Sequence, residues 1–170
     1  MAYAFTGPGA QRPFAGDRWP EPGTWTDRAR ASRVEHLPVW IAAELWVVEL
    51  EGAVHDVGTQ LRADHGRLVE QVDGWDGNAA AAFAEDCAAR IRAFAARSGP
   101  NDAMAAYRED AASLGPADAN VAGWVAAQAA AAVEGEDGAV RERSRQAAWL
   151  AERLELRADG RVTPRAPARR

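Results

Sequence analysis

The stretch ELWVVELEGAVHDVGTQLRADHGRLVEQVDGW, residues 44–75, decides the architecture of this 170-residue chain. Read as a helix, Trp46, Leu50, Val54, Val57, Leu61, Leu68 and Val72 fall mostly at steps of three and four. Read as strands, residues 45–50 and 67–72 are short runs rich in Val and Leu, bounded by Gly52, Gly58 and Gly66. Three glycines inside one exposed helix would cost about 1 kcal/mol each relative to alanine. The Trp46-Val47-Val48 run also suits a pleated surface. The balance predicts strands, preceded by a short helix over residues 38–44.

Upstream, residues 1–38 are dense in Gly, Pro and aromatics, including Gly7-Pro8-Gly9, Trp19-Pro20 and Pro22-Gly23. Proline at this density breaks helices. Tyr3 and Phe5 alternate with small residues, which predicts a short strand, and residues 13–16 are its expected partner. Downstream of Gly77 the pattern turns helical, and 27 of the 41 alanines lie in residues 71–150. Four helices are predicted, over residues 78–97, 102–114, 117–133 and 137–156. Their expected apolar stripes run through Phe83, Cys87, Ile91 and Phe94; Met104, Tyr107 and Ala111; Val121, Trp124 and Val125; and Val140, Ala147 and Leu150. Asp86 and Arg90 form an i,i+4 pair expected on the solvent side, and Gly135 suits the residue past a helix end. The class is therefore α+β: a small N-terminal antiparallel sheet and a C-terminal layer of about four helices. Residues 1–160 read as one domain, strand-rich over 1–76 and helical over 77–157, with 161–170 a basic, frayed tail.

Composition narrows the function classes. The hydrophobic fraction is 48%, but half of it is alanine, so the core is thin and the helices must approach closely. No run is long and apolar enough to span a membrane, and no signal peptide is expected. One cysteine, Cys87, excludes an internal disulfide and a Cys-rich zinc site. A cytoplasmic location is the expectation. All 20 basic residues are arginine. Residues 1–160 hold 16 of them against 25 acids, a net of -9, which argues against a nucleic-acid surface.

The strings AYAF, PFAGDRWPEPGTW, LPVWIAAELWVVELEG, GRLVEQVDGWD, FAEDCAARIRAFA and RQAAWLAERLEL occur in this order. Together they resemble an uncharacterised family common in GC-rich bacteria, over roughly residues 2–156. The resemblance implies paired strands at ELWVVELEG and GRLVEQV, and brings no activity, cofactor or partner with it. Relatives often carry a histidine flanked by two cysteines shortly before the Leu-Pro. Here that stretch is DRARASRVEHLP, and His36 is not a clear counterpart.

Several constellations invite chemistry. Trp75-Asp76-Gly77 resembles the turn of Trp-x-Gly proteins exported by type VII secretion, which are helical hairpins; the alternative is that Trp75 caps the sheet and Asp76 or Asn78 caps a helix. His36, His55 and His65, with Glu51, Asp56 and Asp64 nearby, invite a metal or acid–base reading. No HExxH or HxH spacing is present, and the plainer reading places His55 and His65 in a loop. Asn101, Ala105 and Glu109 have the spacing of a terpene-synthase magnesium motif without its aspartate-rich partner; capping accounts for them. Cys87 sits on an apolar stripe and reads as inert packing. Trp19 and Trp25 stand out as anchors for a partner, against the alternative that tryptophans fill an alanine-rich core.

The sequence therefore predicts a binding or interaction module without catalysis, cofactor or metal. Its expected partner is a protein or a second copy of itself, with no nucleic acid and no membrane. Candidate binding residues are Trp19, Trp25, His36, His55 and His65. The type VII hairpin and a His55/His65 enzyme or metal site are the alternatives.

Overall fold

A computed structural model describes residues 2–7, 19–98, 102–115 and 118–156. Four strands, β1 (Ala2–Thr6), β2 (Thr26–Ala31), β3 (Glu44–Val57) and β4 (Gln60–Gln71), form one antiparallel sheet in the order β1-β3-β4-β2. A 3₁₀ helix, Val34–Val39, follows β2; it lies earlier than the expected helix over 38–44. Helices α1 (Gly77–Ser98), α2 (Asp102–Ser113), α3 (Ala119–Glu134) and α4 (Glu136–Arg153) complete the chain. The α+β class and the C-terminal helical layer are as expected. The expected strand over 13–16 and the basic tail lie outside the described residues.

The β3–β4 hairpin is longer than the sequence pattern suggested. Gly52 and Gly66 lie inside the strands, not at their ends. Only Gly58, with φ +63°, sits in the tight turn. β1 is buried on both faces. Tyr3 and Phe5 point to the helices with Leu45, Val47 and Val72, while Ala2 and Ala4 join Ala29, Ala31, Val48, Leu61 and Leu68 on the other side. Ser32, just past β2, exchanges backbone hydrogen bonds of 2.9 and 2.7 Å with Tyr3, so the sheet curls back on itself. Small residues inside the curl make it possible. A Cβ at Gly66 would lie 2.5 Å from the Ala29 methyl.

One chain of edge-on rings ties sheet to helices: Phe5 to Trp75 (5.2 Å), Trp75 to Phe83 (6.3 Å) and Phe83 to Trp149 (5.4 Å). Trp75 donates its indole N–H to the Ala42 carbonyl at 2.9 Å. Asp76 caps α1 by accepting the Ala79 N–H at 2.8 Å, and that bond holds its carboxyl below the usual range. Trp75-Asp76-Gly77 is thus a strand-to-helix junction. The helical-hairpin alternative is corrected, because the chain before the motif is β-strand.

Two helices depart in part from their expected stripes: Val125 on α3 and Ala147 and Leu150 on α4 are buried as expected, whereas Val121, Trp124 and Val140 are not. On α3 the buried residues are Ala122, Val125, Ala126, Ala129 and Ala130, while Val121 is exposed and Trp124 is 53% exposed. α3 packs against α1 and α4, and only a small-residue face permits both approaches. At one crossing a Cβ on Gly138 would lie 2.5 Å from the Ala130 carbonyl oxygen. On α4 Val140 is exposed, whereas Glu142 and Gln146 are fully buried. Glu142 Oε1 accepts from Arg90 Nε at 2.7 Å and from Gln146 Nε2 at 2.9 Å. Gln146 Nε2 also donates to the Gly123 carbonyl at 2.9 Å. Arg90 reaches Asp86 as expected, but most of its side chain is buried, not on the solvent side. Arg143 donates to the Pro38 carbonyl at 3.0 Å and so fastens the 3₁₀ helix to α4.

Two outcomes follow in urea unfolding. Gly66→Ala lowers stability by about 1–3 kcal/mol through overpacking against Ala29. Glu142→Ala lowers it by about 3–5 kcal/mol, because it strands buried Arg90 without a carboxylate on that side.

Candidate functional site

Directly opposite residues in an antiparallel ladder share a face. The register therefore sorts the outer side chains of β3, β4 and β2 into rows. Glu49 faces Arg67 across β3 and β4, and the two form an ion pair at 2.6 Å. In the next row, Glu51 and Asp27 flank His65 from both sides, and Asp27 Oδ1 lies 3.0 Å from His65 Nδ1. Further toward the turn, His55 and Arg30 flank Arg62.

Between the last two rows the sheet is creased. On β3, Gly52 and Ala53 bulge against the single residue Asp64, and Gly52 has φ +83°. Asp64 Oδ2 accepts the Ala53 N–H at 2.9 Å, which clamps the bulge. On β2, Arg28 adopts φ +53°, a left-handed conformation that costs an L-residue roughly 1–2 kcal/mol. The two distortions lie side by side, one on each neighbour of β4.

An open groove of about 330 Å³ runs along this crease, lined by Arg28, Arg30, Arg62, His55 and Asp64 with three alanines between them. Arg33, Arg67, Arg90, Arg92, Arg97 and Arg141 each pair with a carboxylate. Among the described residues, Arg28, Arg30 and Arg62 have no such partner, and neither do Arg108, Arg143, Arg145 and Arg153 on the helices; what sets the first three apart is that they line one groove. Arg30 and Arg62 stand directly opposite one another, an arrangement of like charges that destabilises a ladder by roughly 0.2–1 kcal/mol.

The residues singled out from sequence scatter. His55 lies in the groove and His65 one row away, both on strands, so the loop placement is corrected. They face different partners, and among the described residues no group of three His, Cys, Asp or Glu is arranged to hold a metal ion. His36 is half-buried in the 3₁₀ helix. Trp19 is only 3% exposed and packs with Ala29, Ala31 and Leu61, so it fills the curl of the sheet and is not an exposed anchor. Trp25 is 39% exposed, with the Arg67 guanidinium stacked over its ring at 4.9 Å. Cys87 is buried, and desolvation pushes its thiol up to about 12, which keeps it protonated and unreactive at neutral pH. Asn101 lies outside the described residues, and Glu109 is exposed on α2.

Sequence reasoning missed Arg28, Arg30 and Arg62. The available signal was the alternation Arg28-Ala29-Arg30-Ala31, a period-two pattern of charge and small residue. Compared with protein-family models, curated proteins and solved structures, the chain has no match.

Arg28→Gly separates backbone from side chain at the crease. Glycine accepts the left-handed conformation without strain, so urea unfolding is expected to show stability unchanged or raised by up to about 1 kcal/mol. A loss larger than that would mean the Arg28 side chain itself holds the crease.

Proposed function

We propose that this chain is a cytoplasmic, non-catalytic binding module that recognises an anionic partner at the creased end of its sheet. The single observation that carries this reading is the set of three arginines without an ion-pair partner on one groove, two of them directly opposite in register. Bringing three guanidinium groups together with only the Asp64 carboxylate beside them opposes folding, and a bound anion relieves that opposition. The groove is partly open to solvent, and it offers guanidinium forks for binding rather than a nucleophile beside a base. Trp25, just before β2, adds an amphipathic surface for a protein that presents the anionic group. No described helix is long and apolar enough to cross a membrane.

Thermal melting at constant ionic strength tests the reading. Citrate or phosphate is expected to raise the melting temperature of the wild-type chain more than chloride does. The Arg30→Gln/Arg62→Gln variant is expected to fold with equal or greater stability and to lose that response. Equal responses to all three anions in both proteins would overturn the reading.

A further inference from the structure

Resting on that reading, we infer that the anion is the dianionic phosphate of a small phosphomonoester. Charge is the first argument. Arg28, Arg30 and Arg62 supply three positive charges, and Asp64 supplies one negative charge. Two charges are left for a ligand to neutralise, which a phosphomonoester does with one compact group. A single carboxylate leaves one arginine uncompensated.

Donor geometry is the second. Each guanidinium is a rigid fork of five N–H donors and no acceptor. Arg30 and Arg62 are directly opposite across β2 and β4, and Arg28 precedes Arg30 by two residues on the same strand. Forks from two strands therefore line one groove. Three terminal phosphate oxygens accept from three forks at once, whereas the two oxygens of a carboxylate match one fork bidentately. Asp64 does not compete for this role, because one of its oxygens is held by the Ala53 N–H within its own strand pair.

Size and position are the third. A groove of about 330 Å³ lies at the low end of small-molecule sites, near 300–1,000 Å³. The paired rows beyond it, Glu51–His65–Asp27 and Glu49–Arg67, present carboxylates that oppose extension of a polyanion along the strands. The ligand is thus a small molecule whose phosphate sits over the Arg30–Arg62 pair, not a long acidic chain.

The test is calorimetric titration of the full chain at neutral pH and fixed ionic strength with phenyl phosphate, phenyl sulfate and succinate. A phosphoserine peptide and phosphatidic acid vesicles are the macromolecular arms. Phenyl phosphate is expected to bind at least about tenfold more tightly than phenyl sulfate, its singly charged counterpart of the same shape, and than succinate. Arg30→Gln/Arg62→Gln is expected to abolish that binding. Arg28→Gly is expected to weaken it by about tenfold while the protein stays folded. Phenyl sulfate or succinate binding as well as phenyl phosphate overturns the phosphate assignment and leaves anion recognition standing. Peptide or vesicles binding more than about tenfold tighter than phenyl phosphate overturns the small-molecule assignment. Absence of binding by every anion overturns this inference together with the reading beneath it.

Discussion

The antiparallel register of β2, β4 and β3 is the constraint on which the rest depends. Side chains alternate with period two along a strand, so a slip of one residue would move every core residue to solvent and every outer charge inward. The register is held by shape. Ala29, Ala63 and Gly66 leave no room for larger groups inside the curl, and Ser32 closes the sheet onto Tyr3. Once that packing is satisfied, Arg30 and Arg62 have no choice but to face each other on the outside. The charge cluster is a consequence of a fit made by alanines.

The molecule treats its arginines in two ways, and the contrast carries the functional argument. In the helical layer Arg90 is largely buried, and it is given two carboxylates, Asp86 and Glu142. That arrangement compensates desolvation and locks α1 to α4. At the crease three arginines lie on strands with backbone distortion on either side, share the groove with the single carboxylate of Asp64, and form no ion pair with it. In the helical layer Arg90 and Arg143 are engaged in contacts within the protein, to carboxylates and to the Pro38 carbonyl, whereas the groove arginines are exposed and available to something that arrives from outside.

Much of the fold was legible in the sequence, for reasons tied to particular residues. Gly77 onward reads as helix because alanine dominates and Gly135 marks an end, and the observed helices start and stop within a few residues of the expectation. Tyr3 and Phe5 announced β1 by alternation. The hairpin was recognised but cut short, because glycine usually terminates a strand. Here Gly52 serves a bulge and Gly66 a close approach, both of which depend on neighbours from other strands. β2, with the sequence TDRARA, was not seen, since its apolar residues are only alanines. The candidate site was least legible. Arg62 meets Arg30 only through a register that joins positions far apart in the chain. Trp19 looked like an anchor because size alone cannot tell a ring that fills a curl from one that faces solvent.

Nuclear Overhauser contacts across β2, β4 and β3 test the central claim most directly. The account predicts cross-strand backbone contacts linking residue 62 to both residue 30 and residue 55, and residue 65 to residues 27 and 51. Contacts shifted by one position, or the short i,i+3 contacts of a continuous helix through residues 46–75, would contradict it.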